Sequence, residues 1–391
     1  MKKTLIAAAV MAASGVAFAA SNVTLYGVLD TGIGVSKVKH QDTTVQMTTG
    51  MDSGSRWGIK GVEDLGNGYS VGFVAEQGFN SDDGNVANGS YGTTSGFTRE
   101  VQLNVKGGFG TLAAGRFGTL GSGAGSFNIL QGWAFGTSYG NQGSWTKFGK
   151  AWGRTNNTLV YVSPAFSGFT VHAMYSNGLS SDTNKWSENR HYYGLGLKYA
   201  AGAVNASLIF EAVDGKGTSE KQAKIGDYYN KYAKELGYGA VFSGAILDAL
   251  NAQKANFKEL KTAYGITAGG SYNFGVATVY GIYQYAWQKN MYNQHAFGLG
   301  VGAPVAGGEA KLGARYLIGK LDGYAKDIAN AADIDSKYRA LNIDAGYTYP
   351  LSKRTKLYGF AGWSDGAKGY SNVENGAFNG WTVAAGLVHK F

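Results

Sequence analysis

The sequence predicts an all-β chain, a transmembrane antiparallel β-barrel of sixteen strands. Three observations predict it. Apolar and polar residues alternate with period two in segment after segment, the mark of a strand with one apolar face. The connections between those segments alternate strictly between short and long. The chain also ends on an aromatic residue, Phe391, that closes an alternating segment and leaves no tail.

The first segment is not part of the barrel. Lys2 and Lys3 form a basic start, Leu5 to Val16 a short apolar run, and Ala17-Phe18-Ala19 an A-x-A cleavage site. This pattern is a secretory signal peptide over 1–19, with cleavage after Ala19 or Ala20. The apolar run is too short to span a membrane, and no second one follows. The remainder, 20–391, forms one barrel domain.

Composition narrows the class further. There is no Cys, so an exported chain of this size draws no stability from disulfides. Gly 62 beside Tyr 26 is not a helical profile, and the ordered alternation excludes low-complexity disorder. The formal charge is +9, or about +7 without Lys2 and Lys3. Export and the absence of a nucleic-acid motif argue against a nucleic-acid partner, so this charge is read as a field for small anions.

The barrel segments follow in order. Asn22 to Ser36 alternates from the mature start. Phe169, Val171, Ala173 and Tyr175 share a face opposite Thr170, His172, Met174 and Ser176. Leu341, Ile343, Ala345, Tyr347 and Tyr349 face away from Asn342, Asp344, Gly346 and Thr348. Short turns are expected at 66–68, 107–110, 164–168, 200–202, 274–275, 304–308 and 350–354, and all three prolines fall in them. Longer loops are expected at 37–52, 81–96, 118–153, 178–188, 215–261, 321–336 and 366–378, with a brief one near 289–293.

A soluble sandwich has no reason to gather its long loops at one end, whereas an outer-membrane barrel has short periplasmic turns and longer extracellular loops. An even strand count sets both termini on the turn side, where first and last strands pair and the sheet has no edge. Trp381, Val383, Ala385, Leu387 and Phe391 then form one face of the closing strand. Phe391 falls at the periplasmic interface and matches the terminal aromatic of barrels inserted into bacterial outer membranes. That match implies recognition by the barrel-assembly machinery.

Several stretches resemble a known family. They are SNVTLYGVLDTGIG (21–34), SGSRWGIKGVEDLGNGYSVGFVAEQGF (53–79), GTLAAGRFGT (110–119), RTNNTLVYVSP (154–164) and the terminal GLVHKF. They resemble the Gram-negative general porins, particularly the trimeric porins of β-proteobacteria. The resemblance covers the first 180 residues and the last 130, and is weakest over 215–261. It implies a homotrimer in the bacterial outer membrane, in contact with lipid and lipopolysaccharide. It also implies passive diffusion of small hydrophilic solutes and inorganic anions, with no cofactor and no catalysis.

In such porins the third extracellular loop narrows the lumen, and residues 118–153 occupy its place. The segment carries Lys147 and Lys150 and no Asp or Glu, and it lacks the Pro-Glu-Phe-Gly stretch of cation-preferring enteric relatives. The constriction should therefore lack a local negative wall. A basic wall follows from phase. Arg56 and Lys60 alternate against Trp57 and Ile59, and Arg154 shares a face with Asn156 and Thr158. Arg56 and Arg154 match positions where anion-selective relatives place a pore arginine cluster. Arg99 matches as well, but strict alternation groups it with Val101 and Leu103. Either a bulge intervenes there or the face is a subunit contact. Arg116 is a further candidate on a short, Gly-rich strand. Asp30, Glu76 and Glu211 have inward phase and are expected to balance part of the charge. A ladder of guanidiniums, always protonated, lowers the barrier to anions and raises it for cations.

Other signals are weak. His40, His172, His191, His295 and His389 lack ligand spacing, so no metal site is expected, and Gly121 to Gly125 precedes no P-loop lysine. Residues 215–261 read as a long extracellular loop with some helix. A substrate-specific channel is the main alternative. In it, Phe127, Trp133, Phe135, Tyr139, Trp145, Phe148 and Trp152 would stack on solutes; the same aromatics could equally pack the loop against the wall. A barrel enzyme would need a partnered nucleophile, which is not apparent, and a secreted adhesin would be soluble without detergent.

Overall fold

The computed structural model describes residues 22–86, 96–179, 185–215, 261–331 and 333–391. The signal peptide and most of the 215–261 loop lie outside them. The first strands are β1 (Asn22–Val38), β2 (Thr44–Thr49), β3 (Arg56–Gly66), β4 (Tyr69–Gly78), β5 (Glu100–Gly107) and β6 (Gly110–Gly118). Next come β7 (Arg154–Val162), β8 (Phe169–Ser176), β9 (Tyr192–Ala201), β10 (Val204–Val213), β11 (Ala263–Asn273) and β12 (Thr278–Gln288). The last are β13 (Tyr292–Val305), β14 (Gly308–Leu321), β15 (Lys337–Pro350), β16 (Thr355–Lys368) and β17 (Gly380–Lys390). Short helices interrupt two loops: α1 (Gly140–Gly143) and α2 (Trp145–Phe148) in one, α3 (Gly323–Ala331) in the other.

These 17 segments make a barrel of sixteen wall strands, because β2 and β3 share one place. Both pair with β1, β3 along Asn22 to Val28 and β2 along Thr31 to Ser36. Between them residues 50–55 leave the wall. Asp30 holds that excursion: its carboxylate accepts the amides of Asp52 (2.8 Å) and Ser53 (2.7 Å), while the Asp30 amide donates to Ser55 Oγ at 3.0 Å. The wall therefore climbs into the predicted 37–52 loop, a difference that alternation alone could not resolve.

Every neighbouring pair is antiparallel, and β1 pairs with β17 from Val28↔Lys390 to Val38↔Gly380, which closes the sheet. Closure satisfies the backbone groups an edge would expose to lipid. Phe391 completes it. Its amide and carbonyl exchange 3.1 Å hydrogen bonds with Gly27, and its ring covers the Gly27 Cα, where a Cβ would lie 2.2 Å from the ring. The outer face carries Leu25, Leu103, Leu159, Leu195, Leu299, Leu312 and Ile343, all well exposed, as a lipid-facing band requires.

Of the three prolines, Pro164 lies in a turn, but Pro304 and Pro350 sit in the ladder at the ends of β13 and β15. A strand end tolerates a missing amide as a turn does. The 321–336 loop contains α3, which the alternation did not foretell.

Candidate pore constriction

Residues 119–153 leave β6 and run along the lumenal side of the wall. Their path is set by inward glycines. Leu120 and Ile129 lie where Cβ atoms of Gly194 and Gly196 would stand, Trp133 over Gly298 and Gly313, Phe135 over Gly346, and Trp152 over Gly265. The glycine-rich strands thus form a trough, and the loop's apolar side chains fill it. Tyr139 at the loop tip stacks on Phe360 at 4.4 Å, with planes 2° apart. Each such buried aromatic is worth about 2–3 kcal/mol of apolar burial.

Polar anchors fix the same loop. Glu211 accepts the Gly121 amide at 3.1 Å and the Tyr192 hydroxyl at 2.7 Å, and Glu100 accepts the Ser126 amide at 3.0 Å. At the tip, Ser138 Oγ donates to the Asp52 carbonyl and the Tyr139 hydroxyl to the Asp52 carboxylate at 2.9 Å. Lys356 pairs with the same carboxylate at 2.7 Å. Burial, with Asp52 beside it, pushes the Tyr139 phenol well above its usual range, so it remains a donor. On the return path Gln284 accepts the Lys150 amide (2.6 Å) and donates to the Lys150 carbonyl (2.8 Å). Arg315, fully buried, donates to the Ser144 carbonyl and to Asn342 (2.7 Å), and pairs with Asp344 at 3.3 Å. Its guanidinium also lies 5.1 Å from the Trp133 ring and 4.8 Å from that of Phe148.

Opposite the loop stands the basic wall. Arg56 and Arg99 both approach Glu76, at 3.3 and 2.6 Å, and Tyr26 donates to the same carboxylate at 3.1 Å. Lys60 shares that inward face and lies 5.2 Å from the Tyr26 ring, apart from the arginines. Arg99 reaches the group because it precedes β5. Phe97 has φ 58°, and Gln77 exchanges hydrogen bonds with Thr98, so the alternation of β5 does not extend back to it. Arg116 sits where the register between β6 and β7 shifts, at a bulge after Gly115. It donates to the Thr98 carbonyl (2.9 Å) and to Asn156. Arg154 lies within the fields of Arg99 and Arg116 and of Glu76 and Glu100, and its Nε is buried without a hydrogen-bond partner among the described residues.

Lys147, Lys150 and Arg154 line one cavity of about 580 Å³ together with Arg190, which donates to the Asp214 carbonyl. Among the described residues no carboxylate lines it. Asp30 and Glu211, expected to balance the charge, are buried in anchoring contacts instead and turn no oxygen to this space. Sequence reasoning missed Arg190, which lies in a loop where phase means nothing. It also missed Arg315, whose phase opposite Tyr316 and Leu312 would have placed it inward.

A closed antiparallel barrel with a lipid-facing band, an inner loop and a charged lumen is a channel protein of an outer membrane. The Gram-negative porin family profile matches residues 6–369, and the chain belongs to that family. Outer membrane porin protein 32 of Delftia acidovorans is 31% identical over 92% of this chain and 88% of its own. An anion-selective porin from Comamonas acidovorans superposes with a TM-score of 0.63 at 26% identity, over 95% of this chain and 100% of its own. The in-vitro folded OmpT of Vibrio cholerae, in its trimer form, superposes at 0.62 with 16% identity over 95% and 100%. The chain is thus a passive diffusion channel of the bacterial outer membrane and not an enzyme.

Proposed function

We propose that this channel prefers anions, and that loop 118–153 with Arg56, Lys60, Arg99, Arg116 and Arg154 forms its selective constriction. The observation that carries the reading is the cavity bounded by Lys147, Lys150, Arg154 and Arg190, which no carboxylate lines among the described residues. A permeating anion meets fixed positive charge there, and a cation finds no counter-charge to replace its hydration. The similarity to an anion-selective porin supports the same sign. A homotrimer, lipopolysaccharide around the barrel and delivery by the assembly machinery through Phe391 complete the reading. The substrate-specific alternative is weakened because Trp133, Phe135, Tyr139 and Trp145 are buried against the wall, while Phe148 and Trp152 alone of these loop aromatics line the cavity.

The test is the reversal potential of purified protein in a planar bilayer under a KCl gradient. Wild type should favour chloride, and Arg56→Ala/Arg154→Ala should lose most of that preference. Cation preference in the wild type, or no change in the variant, would discard this constriction.

A further inference from the structure

The inner loop turns at its tip through two consecutive left-handed residues, Tyr139 at φ 63° and Gly140 at φ 60°. For a bulky side chain such as tyrosine that conformation is strained, and it persists only where neighbours hold it. The holding contacts come from residues 50–55, the excursion between β2 and β3. The Tyr139 amide donates to the Met51 carbonyl, Ser138 Oγ to the Asp52 carbonyl at 2.6 Å, and the Tyr139 hydroxyl to the Asp52 carboxylate at 2.9 Å. The Met51 side chain completes the seat. A Cβ built on Gly140 would meet one heavy atom within 4 Å, the Met51 sulfur, at 3.9 Å. The thioether therefore lies beside the turn, near enough that a single added methyl would touch it. The same side chain packs against the apolar core inside the barrel.

Four methionines lie among the described residues, and their surroundings differ. Met174 and Met291 are 3% and 2% exposed, each inside an apolar cluster. Met47 stands opposite Ile33 on the outer, apolar face of the wall. Met51 is half-buried next to the exposed Gly140, so its sulfur borders the water of the pore. With no Cys in the chain, thioethers are its only sulfur. Accessibility governs attack on such an atom, which sets Met51 apart from the two core methionines.

We propose that Met51 is an oxidation site whose sulfoxide loosens the tip of the inner loop, so that a peroxide entering the pore changes how it conducts. The inference rests on the reading above that loop 118–153 forms the constriction. The reaction consumes one peroxide per sulfur. A sulfur lone pair attacks one peroxide oxygen, and the S–O bond forms as the O–O bond breaks. The departing hydroxide takes the proton of the transferred oxygen and leaves as water. Sulfur is oxidised by two electrons and the peroxide reduced by two. A flexible apolar side chain becomes polar and chiral. Its new oxygen is solvated by water and not by the apolar core, which draws the sulfur out of its seat. The left-handed Tyr139 then loses part of what holds it.

The test exposes folded wild-type protein to hydrogen peroxide. Oxidised methionines are located by peptide mass spectrometry, and single-channel current is recorded in a planar bilayer before and after. Met51 should gain oxygen on the order of tenfold faster than Met174 or Met291. Brief current transitions of the oxidised channel should become roughly fivefold more frequent, as expected when one strained residue is released. Met51→Leu keeps the seat apolar and should conduct as untreated wild type, with no response to peroxide. Met51→Gln should show the oxidised behaviour without treatment, and Met47→Leu should respond as wild type does. Heat-resistant migration on gels checks that each variant is folded. Equal oxidation of Met51 and the two core methionines would overturn the proposal. So would an oxidised Met51 with unchanged current, or a response that persists in Met51→Leu. An untreated wild type without chloride preference would count against the constriction reading instead, so the two failures are told apart.

Discussion

Glu76 is bonded by Arg56, Arg99 and Tyr26 at once, so its single negative charge offsets part of the positive field of the two arginines. Glu76→Gln removes that charge and keeps the shape. For a permeating ion about 5 Å away in a water-like medium the change is about 0.8 kcal/mol, a shift of roughly threefold to fourfold. Chloride gains and potassium loses that energy together, so the chloride-to-potassium permeability ratio, read from reversal potentials, should rise by about the square of that factor, on the order of tenfold to twentyfold. An unchanged ratio would mean that ions pass out of reach of this group. The individual arginines were legible in unequal measure. Arg56 opens β3, where phase assigns it inward, whereas Arg154 opens β7, where a left-handed Asn157 (φ 51°) and a register shift separate it from Thr158. Arg99 and Arg116 depart from phase because a left-handed residue at Phe97 and a bulge at Gly115 reset the alternation, and such backbone events leave little trace in a single sequence.

At the scale of elements, the inner loop is fixed by two kinds of contact with separable consequences. Arg315→Met strips the partner from the buried Asp344 and should cost about 3–5 kcal/mol, whereas Arg315→Met/Asp344→Leu should recover most of it. Thermal unfolding would measure this, and open-channel current noise should rise in the single variant and fall back in the double. Gln284→Ala removes two hydrogen bonds to the Lys150 backbone, about 1–3 kcal/mol of loop docking. It should raise gating noise while leaving the barrel's melting temperature nearly unmoved; a quiet channel would show that Gln284 does not hold the loop. Strands were legible because period two holds over most of each wall segment, broken locally where the register shifts at Gly115 and Asp64. The loop's course was not, since it follows from inward glycines, and a glycine looks the same in a sequence whether it clears space or makes a turn. The short helices of this loop were equally hidden: α1 and α2 have four residues each and no side-chain cap.

For the whole molecule, closure depends on the terminal residue and the glycine beneath it. Gly27→Val would force the Phe391 ring away and should cost about 1–3 kcal/mol by overpacking. Heat-resistant migration on gels should be lost at a lower temperature than in wild type, and unchanged resistance would mean that the ring has another seat. The same architecture fixes an order of events in folding. The tip of the inner loop bonds residues far along the chain: Gln142 meets Thr382, 240 positions away, and Tyr139 rests on Phe360. Contacts of such separation form late, after most of the wall that carries them. A partly assembled barrel would thus have its staves before its eyelet, a wide hole rather than a filter. Narrowing of the pore becomes a signature of completed assembly, readable as a fall in leak to large solutes while the barrel zips shut.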